Sequence, residues 1–97
     1  MRIALVCAAV LAALPLAAGA QEAGRDLAAS CAMCHGTNGR SVGGNETLAG
    51  MAKADLVRKF NEFRSGAKPA TIMHQISKGY TDQQIDQVAA YFAAQTK

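Results

Sequence analysis

Two cysteines and a histidine occur as Cys31-Ala32-Met33-Cys34-His35, and this spacing constrains the chain more than anything else in it. Two thiols three positions apart at a helix end can each add to one vinyl group of a haem. The histidine directly after the second thiol is then held under the iron. C-x-x-C-H is therefore read as a haem attachment motif. Three other chemistries use similar residues. A thioredoxin-like redox pair sits in a βαβ setting, and no segment here alternates with the period of a strand. A zinc site needs four ligands. After Cys7, only Cys31, Cys34, His35 and His74 are available, and two of them are adjacent. A plain disulfide would close a very small loop and stabilise little. The motif predicts one covalently attached haem c per chain, bound through Cys31 and Cys34, with His35 as an iron ligand.

Composition points the same way. The chain has 97 residues, enough for one small domain, and a multidomain enzyme, a repeat array or a coiled coil is excluded. Seventeen apolar residues fall within positions 1–20. Residues 21–97 keep 32, of which thirteen are alanine and none is tryptophan. A core that thin is marginal on its own, and a large apolar cofactor would complete it.

Met1-Arg2 followed by an almost wholly apolar Ile3–Leu16 and by Ala18-Gly19-Ala20 has the three-part pattern of a secretory signal peptide. Cleavage is expected after Ala20, leaving a single domain over 21–97. The apolar run is about 14 residues, short of the roughly 20 that a membrane-spanning helix needs. The reading is of a periplasmic protein with no stable membrane insertion once the signal is removed. Export suits the motif, because c-type haem is attached outside the cytoplasm. Nine basic and seven acidic residues remain after position 20, dispersed along the chain. Without a basic cluster to track phosphates, nucleic acid is not an expected partner.

The expected fold class is all-α: three main helices and a short one wrapped around the haem, with a long glycine-rich loop. Glu22–Cys34 reads as the first helix, with acidic residues near its start. Gly36–Gly50 is the loop. Lys53–Arg64 is the second helix, with Leu56, Phe60 and Phe63 on one face, and Ser65-Gly66 stops it. Ile72–Lys78 is a short helix ended by Gly79. Thr81 caps the last helix, Gln84 has the capping-box spacing, and Ile85, Val88, Ala89 and Phe92 form its apolar stripe.

With His35 below the iron, the far face is open to Met33, Met51, Met73 or His74. Met33 lies within the motif on the side of His35 and cannot cross the ring. Met51 follows His35 closely, and core filling suits it. Met73 follows after enough chain to pass around the haem and return, so the geometry prefers it. Met73 and His74 diverge by about 100° on a helix, so only one of them can face the iron. A methionine ligand makes a carrier of raised potential, whereas an open face allows ligand binding. The first predicts electron transfer without bond-making chemistry, and the second a haem sensor or small-ligand binder.

The order of a helix ending in Cys31–Gly36, a middle helix, a methionine loop and a final helix resembles class I c-type cytochromes across residues 22–95. Leu48-Ala49-Gly50-Met51 and Lys68–Tyr80, which contains Thr71-Ile72-Met73, are similar to the cytochrome subunit of flavocytochrome c sulfide dehydrogenase and to cytochrome c4/c553-like proteins. The resemblance implies Met73 as sixth ligand, so that the metal site would be His35 and Met73. It implies contact between the first and last helices near Leu27 and Tyr91 or Phe92. It also implies a redox protein partner, with a flavoprotein sulfide dehydrogenase subunit as the specific candidate. On that reading this chain is the non-catalytic electron-transfer subunit. Lys53, Lys59, Lys68 and Lys78 would frame the haem edge and steer docking. One departure stands out. The family often carries a proline in the loop after the motif, near the carbonyl that fixes the histidine, and Ser41–Thr47 has none. Some carbonyl must still orient His35.

Overall fold

A computed structural model describes residues 15–97. Most of the expected signal peptide, residues 1–14, lies outside the described residues. Among the described residues five α-helices follow in order: α1 (Pro15–Ala28), α2 (Ala32–His35), α3 (Lys53–Ser65), α4 (Met73–Lys78) and α5 (Asp82–Ala93). Short 3-10 turns occupy Ala29–Cys31 and Thr37–Gly39, and no strand occurs among the described residues. No helix among them is long and apolar enough to cross a membrane.

The first helix differs from the reading of Glu22–Cys34. Helix runs from Pro15 through the Ala20–Gln21 boundary, because Leu16, Ala17, Ala18 and Ala20 before it and Gln21, Glu22 and Ala23 after it favour helix. It then tightens into a 3-10 turn over Ala29–Cys31 before α2 carries the motif to His35. Gly36, at φ 86°, ends the run. A Cβ there would collide with the Arg40 carbonyl, so the chain can turn away so sharply only at a glycine.

The other helices follow their local signals. Gly66 closes α3 in the left-handed conformation and donates its N–H to the Phe63 carbonyl. Ile72 stands at the N-cap of α4, one residue outside the helix that had been expected to begin with it. At α5 the capping box is complete: Gln84 N–H donates to Thr81 Oγ1 at 3.1 Å, and Thr81 N–H donates to Gln84 Oε1 at 3.0 Å. Arg64 of α3 pairs with Asp82 at the start of α5 and donates to the Tyr80 carbonyl, joining the two helices at that end.

The core is small. Ala28, Leu56, Phe60, Ile85, Val88, Ala89 and Phe92 form its buried cluster. The α5 stripe is buried as its spacing predicts. On α3, Leu56 and Phe60 are buried, while Phe63 is only half-buried at the helix end. α1 packs across α5, and α3 packs on both α4 and α5. α1 approaches α5 closely at Gly24, where a Cβ would stand 2.5 Å from the Gln87 carbonyl oxygen and 3.2 Å from Tyr91 Cβ. Leu27 and Tyr91 flank the crossing, half-buried against the cluster.

The loop after the motif is fastened to α5 and to the segment beyond it. Gly39, at φ 82°, lies under Phe92, and its carbonyl accepts from the N–H groups of Leu48 and Ala49. Gly50 N–H donates to the Phe92 carbonyl at 2.9 Å. Tyr91 donates its hydroxyl to Asn38 Oδ1 at 2.6 Å, and Arg40 donates to the Thr96 carbonyl at 2.8 Å. These bonds leave the far side of the loop, residues 44–48, to form one wall of a cleft.

Candidate functional site

The cleft has a volume of about 710 Å³. Ligand sites commonly fall between about 300 and 1,000 Å³. Its walls come from four parts of the chain. α2 and the turn before it contribute Cys31, Cys34 and His35, and the loop contributes Asn45, Glu46 and Leu48. α3 contributes Leu56, Lys59, Phe60 and Phe63. The segment from Lys68 through α4 contributes Thr71, Ile72, Met73 and Ile76. The motif and Met73, 38 positions beyond His35, thus line one cavity.

Cys31 and Cys34 are not joined in a disulfide. Cys31 is half-buried and Cys34 exposed. Burial pushes the Cys31 thiol above its ordinary range; a hydrogen bond with Ser30 opposes this and the neighbouring Cys34 adds to it. Among the described residues no three of His, Cys, Asp or Glu gather as a tetrahedral ion would require.

His35 is held by the loop. Its Nδ1 lies 2.7 Å from the carbonyl oxygen of Glu46. A carbonyl can only accept, so Nδ1 carries the proton and Nε2 keeps its lone pair for a metal. The neighbouring Asn45 donates its amide to the Cys34 carbonyl at 2.9 Å, tying the same stretch of loop to α2. Glu46 also meets α3: its carboxylate lies 2.7 Å from the Lys59 ammonium. The carbonyl that sequence alone could not assign is therefore that of Glu46. No residue-type signal marks it, because every residue offers a carbonyl and only the loop's path selects one.

Met51 and His74 do not line the cleft. Met51 packs half-buried against the core cluster, the filling role its position suggested. His74 is half-buried and its Nδ1 has no hydrogen-bond partner; Ser77 Oγ, one turn on, is likewise buried without one. Ile72 and Ile76 line the cleft yet remain exposed, at 56% and 38%. These two, with Phe63, are apolar surface facing a cavity.

The residues suit a haem. Two thiols and an imidazole with a free Nε2 lie on one side of an apolar cavity of adequate size. Leu56, Phe60, Phe63 and Ile72 offer the surface that the small core lacks. Cys31 and Cys34 would hold the group covalently, and the group would supply a reversible one-electron change at iron.

The sequence model of the family Cytochrome c matches residues 21–95. The cytochrome subunit of sulfide dehydrogenase from Chlorobaculum tepidum is 33% identical over 77 residues, 79% of this chain and 70% of that protein. Cytochrome c4 from Pseudomonas aeruginosa is 35% identical, over 88% of this chain and 43% of its own length. A solved structure of cytochrome c4 from Acidithiobacillus ferrooxidans matches with a TM-score of 0.70 at 30% identity, covering 79% of this chain and 50% of that one. The chain thus spans half or less of the cytochrome c4 chains it matches. Family match, fold and attachment motif agree, and the chain belongs to the cytochrome c family, whose covalently bound haem c transfers electrons.

Proposed function

We propose that this chain is a periplasmic monohaem electron carrier whose iron is ligated by His35 and Met73. The observation that carries the reading is that Met73, alone among Met51, Met73 and His74, lines the same cleft as His35. A thioether in an apolar cavity favours the reduced state and raises the potential. Leu56 and Phe60, both buried, give the cavity an apolar wall. Ile72 and Ile76 flank Met73 at the mouth.

The specific partner we propose is a flavin-containing sulfide dehydrogenase, with this chain accepting its electrons. The likeness to the Chlorobaculum tepidum subunit supports it. Docking by a lysine frame is narrower than the sequence suggested. Lys53 pairs with Asp86 at 2.9 Å, Lys59 pairs with Glu46, and Lys68 lies over the Phe63 ring. Lys78 forms no ion pair among the described residues, and with Lys68 beside the cleft it is the better candidate for steering. Residues 1–20 serve as the export signal, so the mature chain begins at Gln21.

One spectrum tests the ligand set. The oxidised protein should show the near-infrared methionine–iron band, and the reduced protein should not bind carbon monoxide. Carbon monoxide binding without that band would favour the sensor reading. Co-elution with a flavoprotein from the native periplasm tests the partner.

A further inference from the structure

The loop carrying the Glu46 carbonyl has no proline to stiffen it, and it contains Gly43 and Gly44 just before the point of contact. Val42 is 99% exposed, so the loop tip has no packing of its own. Yet the carbonyl sits 2.7 Å from His35 Nδ1, a short bond for N–H···O. Two side-chain links bracket that carbonyl. Asn45 ties the loop to α2 through the Cys34 carbonyl, and Lys59 ties Glu46 to α3. The Lys59 side chain is only 21% exposed, and it lines the cleft. The lysine end of the link therefore lies partly out of water while Glu46 is half exposed, and a charge-assisted bond so shielded is stronger than one at a fully open surface.

We infer that Lys59 is a positioning residue for His35: its ion pair with Glu46 holds the Glu46 carbonyl against Nδ1 and so sets how strongly the imidazole donates to iron. A firm hydrogen bond from Nδ1 gives the ring more imidazolate character and makes it a stronger ligand. That favours the oxidised iron and lowers the potential. Releasing the carbonyl should raise it. The inference rests on His35 being the ligand, as proposed above.

The sign of the effect separates positioning from simple charge. Removing a cation near the iron lowers the potential through space, whereas loosening the carbonyl raises it. In the purified holoprotein, Lys59→Gln should therefore raise the potential, and Lys59→Arg should leave it near wild type. Nuclear magnetic resonance of the reduced protein should show the His35 Nδ1 proton exchanging faster with solvent in both Lys59→Gln and Glu46→Gln. The reversed pair, Lys59→Glu with Glu46→Lys, should restore slow exchange. A lowered potential in Lys59→Gln with unchanged exchange would show that Lys59 acts only as a charge. An unchanged potential and exchange with reduced melting temperature would show a role in stability alone. Either result overturns the inference. If Lys59→Gln attaches too little haem, the exchange rate in Glu46→Gln decides from the loop side. A wild-type protein lacking the spectrum of a histidine-ligated low-spin haem would instead overturn the ligand assignment itself.

Discussion

Gly24 of α1 lies so close to Gln87 of α5 that a Cβ on it would stand 2.5 Å from the Gln87 carbonyl oxygen. The obstacle is helix backbone, which cannot swing aside as a side chain can. This contact fixes how α1 crosses α5. α1 runs on through Ala29–Cys31 into α2, so the crossing also sets where the motif enters the cleft.

Replacing Gly24 by alanine should push the helices apart. Overpacking of this kind costs about 1–3 kcal/mol, while alanine gains up to about 1 kcal/mol in helix propensity. We expect a net loss in urea unfolding of the holoprotein, seen as a lower midpoint with unchanged slope. A net gain in stability would mean that the helices meet elsewhere.

Phe92 is 2% exposed, packs edge-to-face with Tyr91, and covers Gly39. Phe92→Ala should cost about 3–5 kcal/mol, the range for large aromatic truncations in a core. Because Gly39 and Gly50 both anchor the motif loop near Phe92, the variant should also loosen that loop. Faster amide exchange at Leu48 and Ala49, whose N–H groups bond the Gly39 carbonyl, would report it. A cost below about 0.5 kcal/mol would contradict the packing.

Met73→Ala should abolish the methionine–iron band, lower the potential and open the iron to carbon monoxide. Met51→Ala should keep the band and lose about 1–2 kcal/mol of stability, less than a fully buried methionine would. If the band survives in Met73→Ala and disappears in Met51→Ala, the proposed ligand is wrong.

Acid–acetone extraction should leave the haem on the protein, since thioether bonds to Cys31 and Cys34 survive it. In Cys34→Ala a single link should remain, and the pyridine haemochrome band should move to longer wavelength because one vinyl stays unsaturated. A colourless protein pellet from the wild type would rule out covalent attachment.

The sequence by itself determined whatever depends on neighbours along the chain. Cys31, Cys34 and His35 carry their chemistry in their spacing. Thr81 and Gln84 announce the start of α5, and the period of Ile85, Val88, Ala89 and Phe92 marks the face that the fold buries. Gly66 and Gly79 end their helices where expected. Only the tertiary structure decided that Glu46 supplies the carbonyl for His35, since a backbone oxygen leaves no trace in residue type. It also decided that Met73 lines the cleft and Met51 does not, although both pack half-buried against the core cluster. That choice depends on how α3 and α4 pack, and both methionines have the same side chain. Gly24 illustrates the difference most simply. Read along the chain it is a weak point in a helix; packed against Gln87 it is where two helices can touch, because a residue without a Cβ lets backbones approach to a distance no local pattern encodes.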